Sequence, residues 1–360
     1  MYTPKYTITN KILKDIGTVE ACREIITNAP LVPAWEARFR EEAIIRTVHY
    51  GTHIEGNALN FTEAAKVISG QSIVARDRDI QEVINYRNVL RFIGEAREIG
   101  EAGGKVTEQA LKHLHKLTVE KILPSEECGK YRQTQVVLRN SQTGEISFRP
   151  PASVAVPFLI EDFLEWLNSK AIRDMHPVLQ AGITHYELVR IHPFVDGNGR
   201  VARAVATWVL FREGYDIKKF FSLEEHYDKD DTGYYKALQS VEKPIIESEH
   251  SGNGDLTYWL EYFTEGLAIE LTRIKEKVQK LSVDLKIKEH LGGGQVALNE
   301  RQMKILEYVQ QTGFIQSQIF REMFREYSDD TILRDLRDLM EKGVLKKEGS
   351  TKSARYVLIK

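Results

Sequence analysis

Residues suited to phosphate chemistry cluster in one short segment near the middle of the chain, between positions 192 and 203. They are His192, Asp196, Gly197, Asn198, Gly199, Arg200 and Arg203. Glycine lets an anion approach the backbone closely, and the unpaired N–H groups at the start of a helix bind phosphate. Two arginines in the first turn of a helix oppose its dipole, so a bound polyphosphate is their natural counter-ion.

The same segment supplies a metal ligand and a base. Asp196 would repel phosphate unless a hard cation such as Mg²⁺ bridges the two. His192 is the only histidine of the segment, and because imidazole titrates near neutral pH it is the candidate general base. The plain alternative is a capped turn with a hydrogen-bonded histidine. So many polar and glycine positions together favour a nucleotide-phosphate site.

Helices must position these residues, because apolar side chains such as Val201 and Val205 recur at helical spacing beside the segment. Pro193 and the two glycines exclude helix within it. The same spacing continues along most of the chain, so the predicted fold class is mainly α. The exception is a pair of β-prone runs, 135–138 and 146–148, which predicts a single hairpin.

The chain of 360 residues is longer than one domain of about 100 to 200 residues. A Gly-rich run at 291–295 marks the clearest boundary. We predict an N-terminal helical region over 1–105, a catalytic core over 106–270, a helix and linker over 271–295, and a C-terminal module over 296–360.

Composition excludes several classes of protein. The net charge of -2 gives no global field for nucleic acid or anionic lipid. Two cysteines, Cys22 and Cys128, are too few for a disulfide framework. The N-terminus lacks a signal-peptide pattern, and no stretch approaches the roughly 18 apolar residues of a membrane span. A cytoplasmic location without membrane contact is the expectation.

Residues 192–203 match the pattern HxFx(D/E)GNGRxxR at every specified position, and the segment thereby resembles the Fic family. The similarity extends through most of residues 30–270. It implies a Fic helical fold and an adenylyltransferase that moves AMP from ATP to a Tyr, Thr or Ser hydroxyl of a target protein. Two other functions stay open: removal of AMP from modified proteins, and a transcription regulator that senses nucleotide.

The resemblance also assigns roles within the motif. His192 would deprotonate the target hydroxyl, and Asp196 would hold Mg²⁺ or Mn²⁺. Backbone N–H groups of Gly197 and Gly199 would contact the phosphates of ATP. The Doc branch, which transfers a phosphoryl group, carries lysine in place of Gly199, so glycine there favours AMP transfer.

The remaining ATP contacts are assigned in the same way. Asn198 would orient the α-phosphate, whereas Arg200 and Arg203 would bind the β- and γ-phosphates. Tyr234 and Tyr235 resemble the tyrosine pair that lies beside the adenine. Neighbouring residues of a helix point about 100° apart, so we expect one of the two to serve the base and leave the choice open.

The predicted hairpin falls where Fic proteins place a flap, here 133–150. Its exposed edge at 135–148 is expected to bind the target protein by strand addition. The alternative is a simple cover over the core.

A candidate inhibitory motif lies at 51–57, where a helix that starts near Pro33 ends. Glu55 stands at the negative end of that helix and needs a cation nearby. Its context resembles the Fic inhibitory pattern (S/T)xxxE(G/N), which implies an ion pair with Arg203. The pattern's hydroxyl position is Gly51 here, with Thr52 one place later, so the hydroxyl contact is in question.

The C-terminal module reads as a winged helix, with helices at 299–311, 316–324 and 328–342 and two strands around 348–351. We expect its third helix to be acidic, with Asp329, Asp330, Asp335 and Asp338 against Arg334 and Arg337. Phosphate would repel such a helix, so DNA binding should be weak. Basic residues that could still contact phosphate are Lys346, Lys347, Lys352 and Arg355. A protein contact or a homodimer is the alternative.

Overall fold

The structure, a computed structural model, divides into two compact units. One unit contains Met1–Arg23 and Glu42–Leu271, and the other contains Glu24–Glu41 and Thr272–Lys360. The residues described are 2–29, 31, 33–98, 105–139, 146–242, 254–281, 298–324, 327–349 and 354–359. The predicted hairpin turn, the Gly-rich run at 291–295 and Lys352 lie outside these ranges, and the predicted domain boundaries stay a prediction.

Helices make up most of the chain up to residue 281. They are α1 (Asn10–Asn28), α2 (Pro33–His53), α3 (Phe61–Ile68), α4 (Asp77–Glu98), α5 (Glu108–Val119), α6 (Val156–Leu167), α7 (Pro177–Ile191), α8 (Asn198–Arg212), α9 (Glu224–Lys229), α10 (Asp231–Ser240) and α11 (Thr257–Leu281). The prediction of a mainly α fold is therefore confirmed.

Helices α7 and α8 form the core of the first unit and pack against each other. The motif segment follows α7 and runs into the first turns of α8. Every residue from 178 to 188 is buried, as is typical of a helix enclosed on all faces. Helix α4 packs on α5 and α8, while α6 packs on α7. This enclosure fixes both ends of the segment that carries the predicted chemistry.

The predicted hairpin is present as two short antiparallel strands, β1 (Leu138–Arg139) and β2 (Ile146–Phe148), with Leu138 opposite Phe148. The first strand begins three residues later than the β-prone run at 135–138 suggested. Gln135 is exposed, and its side-chain amide donates to the carbonyl of Pro150 at 2.9 Å. That contact closes the base of the hairpin.

The second unit contains the predicted winged helix. Its elements are α12 (Glu300–Thr312), β3 (Ile315–Gln316), α13 (Ser317–Met323), α14 (Asp329–Glu341), β4 (Leu345–Glu348) and β5 (Arg355–Leu358). The strands form an antiparallel sheet in the order β3-β5-β4. Strand β3 was missed by the prediction because two residues are too few to show a period.

The acidic character of α14 was predicted wrongly in part. Asp335 is only 6% exposed and accepts hydrogen bonds from Asn299 at 2.8 Å and from Arg301 at 2.6 Å. Asp338 is bound by Gln302 and Lys342, each at 2.5 Å. Asp335 therefore holds α14 against α12 rather than facing a partner. The side chain of Asp338 stays 41% exposed, and Asp329 and Asp330 are exposed as well, so the remaining acids of α14 still disfavour phosphate.

None of the described helices combines the length and the apolar character that a bilayer crossing requires.

The buried ion pair of the winged helix gives a stability test. Asp335→Ala leaves Arg301 and Asn299 without their acceptor, so the opening free energy of α14 should fall by about 1 to 3 kcal/mol. Amide hydrogen exchange on the full chain measures this. Glu341→Ala removes the same charge at an exposed site and should change the opening free energy of α14 by no more than about 0.5 kcal/mol. Equal effects of both changes would contradict the structural role of Asp335.

Candidate active site

His192 ends α7 in a left-handed conformation, with φ 51° and ψ 59°. Such a backbone is uncommon for a residue with a Cβ and is concentrated at functional sites. The ring Nδ1 lies 3.3 Å from the carbonyl of Val189, so Nδ1 carries the proton and Nε2 keeps its lone pair. Burial lowers the pKa of His192 below its usual value. A neutral imidazole with a free Nε2 is what a general base requires.

The loop after His192 is closed by Asn198. Its Nδ2 donates to the carbonyl of Phe194 and its Oδ1 accepts from the N–H of Phe194, both at 2.9 Å. Gly197 has φ +76°, and a Cβ there would lie 3.0 Å from Val119. The side chain of Asn198 therefore braces the loop, and its predicted contact with the α-phosphate stays a prediction.

His115 of α5 packs against the same loop. Its ring stacks on Phe194 at 3.8 Å between centroids, and its Nδ1 accepts from the N–H of Gly129 at 2.9 Å. Nε2 is therefore the protonated nitrogen, and it donates to the carbonyl of Asp196 at 3.2 Å. Burial lowers the pKa of His115 to about 4, so this contact is made by a neutral ring at pH 7.

Arg200 and Arg203 are both buried, at 1% and 3% exposure. Among the described residues, Nε of either arginine and Nη1 of Arg200 form no hydrogen bond, although Nη1 of Arg200 lies 3.5 Å from Glu82. No side chain in the same ranges caps the start of α8. Buried donors without acceptors are costly. Donors of this kind at the positive end of a helix fit a polyphosphate.

Asp196 and Arg200 belong to a cluster of two carboxylates and two arginines. Arg200 lies 3.5 Å from both Asp196 and Glu82 of α4. Arg78 bridges the same two acids, at 2.9 Å from Asp196 and 3.1 Å from Glu82. Within the described ranges no group of three or more His, Cys, Asp or Glu residues could hold a metal ion. Asp196 alone, 33% exposed, fits Mg²⁺ that is held mainly by phosphate oxygens.

Glu55 lies at the start of α8. Its Oε1 accepts from Nη2 of Arg203 at 2.8 Å, and a Cβ on Gly199 would meet the same oxygen at 2.1 Å. Burial would raise the pKa of Glu55, but Arg203 and Arg200 outweigh it and the pKa is lowered. A carboxylate thus stands where an anion at this helix start would bind.

Gly51 stands where the Fic inhibitory pattern would have a hydroxyl, and its surroundings leave no room for a side chain. A Cβ at this position would lie 2.4 Å from the ring of Tyr86 and 3.2 Å from Glu224. Its carbonyl instead accepts from Nη2 of Arg203 at 2.9 Å. The hydroxyl of Thr52 donates back into α2, to Val48 at 2.9 Å, and so does not replace the missing contact.

The two tyrosines of α10 have different surroundings. Tyr234 is 2% exposed, stacks on Tyr227 at 4.8 Å, and its hydroxyl lies 2.9 Å from Nε2 of His185. Tyr235 is 43% exposed. Tyr234 is therefore a core residue, whereas Tyr235 offers an accessible ring.

Sequence reasoning brought His192, Asp196, Arg203 and Glu55 to one site, but it missed the residues around them. These are Arg78, Glu82, Tyr86, His115 and Arg132. They come from α4, α5 and the start of the hairpin, far from the motif in sequence. No local spacing pattern marks them, because their role depends on which side chain packs beneath the loop.

Comparison with known proteins agrees with this geometry. Residues 105–210 match the Fic/DOC family. This match contains the motif segment, α7 and most of α8. The protein adenylyltransferase Fic of Drosophila grimshawi is 30% identical over 181 residues, covering 49% of this chain and 35% of its own. The protein adenylyltransferase fic-1 of Caenorhabditis briggsae is 32% identical over 184 residues, covering 49% and 34%. The match spans only about a third of these relatives.

Solved Fic structures share the fold. A Fic family protein from Desulfovibrio desulfuricans aligns over 99% of this chain and 98% of its own, with a TM-score of 0.65 and 24% identity. A fragment of Fic-1 from Caenorhabditis elegans aligns over 74% and 73%, with a TM-score of 0.60 and 22% identity. Residues 301–352 match a DeoR-like helix-turn-helix domain, as the winged-helix prediction requires.

The close packing of Gly51 can be tested by adding one methyl group. Gly51→Ala forces its Cβ against Tyr86 and should destabilise the protein by about 1 to 3 kcal/mol. Urea unfolding measures this. Gly17→Ala is the matched control, since that helical glycine has no atom within 4 Å of a Cβ and gains up to about 1 kcal/mol of helix propensity. An unchanged midpoint for Gly51→Ala would show that the site has room.

Proposed function

We propose that this protein is an adenylyltransferase that transfers AMP from ATP to a hydroxyl of a target protein and is held inactive by Glu55. The proposal rests on the position of the Glu55 carboxylate, which lies against Gly199 and forms an ion pair with Arg203. The carboxylate lies at the start of α8, beside arginine donors that form no hydrogen bond to any described residue. The loop that begins at His192 leads into the same helix start. An internal anion in a polyphosphate site is the arrangement expected of a self-inhibited nucleotide enzyme.

The transfer step follows from the protonation state of His192. Nε2 takes the proton of the target hydroxyl as the hydroxyl oxygen attacks the α-phosphorus of ATP. The bond from that phosphorus to the bridging oxygen breaks, and pyrophosphate leaves with the electron pair. Positioning and charge stabilisation supply most of the rate, because the protein forms no covalent bond itself.

The charged residues then divide the phosphates between them. Arg200 and Arg203 neutralise the β- and γ-phosphates, and the backbone N–H groups of Gly197 and Gly199 lie beside them. Mg²⁺ or Mn²⁺ would neutralise phosphate charge from Asp196, in the manner usual for nucleotides. For that purpose Asp196 must give up its ion pair with Arg78, whose side chain is 61% exposed.

Glu55 inhibits by occupying the place of a phosphate. While it pairs with Arg203, ATP lacks the γ-phosphate contact that aligns its α-phosphorus with the attacking oxygen. Because the pKa of Glu55 is lowered, the carboxylate stays ionised down to acidic pH. The inhibitory pair is thus present throughout the physiological range and needs a conformational release.

Adenine and target binding are assigned to accessible surfaces. Tyr235 is the residue proposed to contact adenine, because Tyr234 is enclosed in the core. The target is proposed to pair with the hairpin at 135–148, whose two strands pair only with each other among the described residues. Val137 and Ile146 are 36% and 41% exposed there and offer apolar contacts. Any DNA binding by the winged helix is proposed to be weak.

Removing the base tests the transfer step. His192→Ala should abolish AMP transfer and leave ATP binding nearly unchanged, since the imidazole serves only to take the proton. With α-labelled ATP and the Glu55→Gly protein, the acid limb of the pH–rate profile should lie below pH 6.5, because the His192 pKa is lowered from that value. Full activity of His192→Ala would overturn the mechanism.

Removing the Glu55 carboxylate tests the proposed inhibition. Glu55→Gly should raise automodification by about 100-fold, the effect expected when a misplaced reactant is aligned. Labelled AMP on the protein measures it. Arg203→Ala should not reproduce the gain, because it removes the inhibitory pair and the γ-phosphate contact together.

Two further measurements separate charge from bulk. Glu55→Gln keeps the side-chain size and removes the charge, so it should activate less than Glu55→Gly. ATP should raise the melting temperature of Glu55→Gly more than that of the wild type, because it supplies the missing partner of Arg203. If Glu55→Gly transfers AMP no faster than the wild type, Glu55 does not inhibit the enzyme.

A further inference from the structure

Arg132 is a buried arginine that binds only backbone. It is 2% exposed, and no carboxylate of the described residues forms an ion pair with it. Its Nε donates to the carbonyl of His192 at 2.8 Å. Nη1 donates to the carbonyl of Thr134 at 3.2 Å, and Nη2 donates to that of Pro151 at 2.5 Å. A desolvated cation without a counter-ion is expensive, so a stability role alone explains it poorly.

The first of these contacts holds a strained residue. His192 has the left-handed φ of 51°, a conformation that persists only where the surroundings fix it. Arg132 fixes it from two sides, because its own N–H also donates to the carbonyl of Pro193 at 2.9 Å. The orientation of the imidazole thus depends on an arginine outside the motif.

The other contacts reach both ends of the hairpin. Thr134 lies where the chain enters the flap and Pro151 where it leaves it. One planar guanidinium therefore joins the His192 carbonyl to the segments that lead into and out of the flap. Such a fork holds several acceptors in one fixed geometry, which a lysine ammonium does not.

We propose that Arg132 is a positioning residue that fixes His192 relative to the flap, so that a hydroxyl docked along the flap meets Nε2. This inference rests on the proposed function, in which the flap binds the target. It also has an electrostatic part that does not depend on the target. Burial lowers the pKa of His192, and the Arg132 charge lowers it further, which keeps the base unprotonated.

Two substitutions separate the fork from the charge, each made in the Glu55→Gly protein. Arg132→Lys keeps the cation and loses the fork, whereas Arg132→Gln loses both. For either variant kcat should fall about 100-fold with the KM for ATP unchanged. Amides at 134–139 and 146–149 should exchange faster with deuterium. The His192 imidazole, followed by NMR, should titrate at higher pH in Arg132→Gln and near its parent value in Arg132→Lys.

Arg173→Gln is the matched control, since it removes the same charge at an exposed position and should move none of these readouts. If both Arg132 variants keep kcat, or if their flap amides exchange as in the parent, the positioning role is wrong. Should Arg132→Gln not fold, Arg132→Lys decides the question through kcat and flap exchange. If the parent itself transfers no AMP, the proposed function fails, while exchange and titration still test Arg132.

Discussion

Two buried guanidinium groups at the positive end of α8 are the constraint on which the site depends. Arg200 and Arg203 are almost fully desolvated, and the helix dipole opposes them further. An anion must therefore be present. In this structure Glu55 supplies it to Arg203, while Asp196 and Glu82 serve Arg200. The same requirement can be met by the phosphates of a bound nucleotide or by a carboxylate of the chain itself.

The carboxylate can fill this place because a glycine lies beneath it. A side chain at position 199 would collide with Glu55 at its first atom. Gly199 therefore leaves room for the Glu55 carboxylate, and the same space is where the proposed function puts a nucleotide phosphate. The absence of a side chain at Gly51 has a similar effect, because it lets the end of α2 pack against Tyr86 and brings Glu55 within reach.

The geometry of the loop is fixed by hydrogen bonds from side chains to its backbone. Asn198 closes the turn, neutral His115 holds the carbonyl of Asp196, and Arg132 holds that of His192. Each of the three bonds acts on a carbonyl, so the loop is held without using Nε2 of His192. A base in a strained conformation needs such support, since nothing local maintains it.

The sequence by itself determined the helical fold, the hairpin, the winged helix and the residues of the motif, because each depends on periodicity or spacing within a short stretch. It also placed Glu55 at a helix end that requires a cation. Only the tertiary structure decided that Asp335 faces inward, that Tyr235 rather than Tyr234 is accessible, and that Arg132 and His115 support the loop. These facts depend on which distant segments pack together, and sequence spacing carries no signal of that.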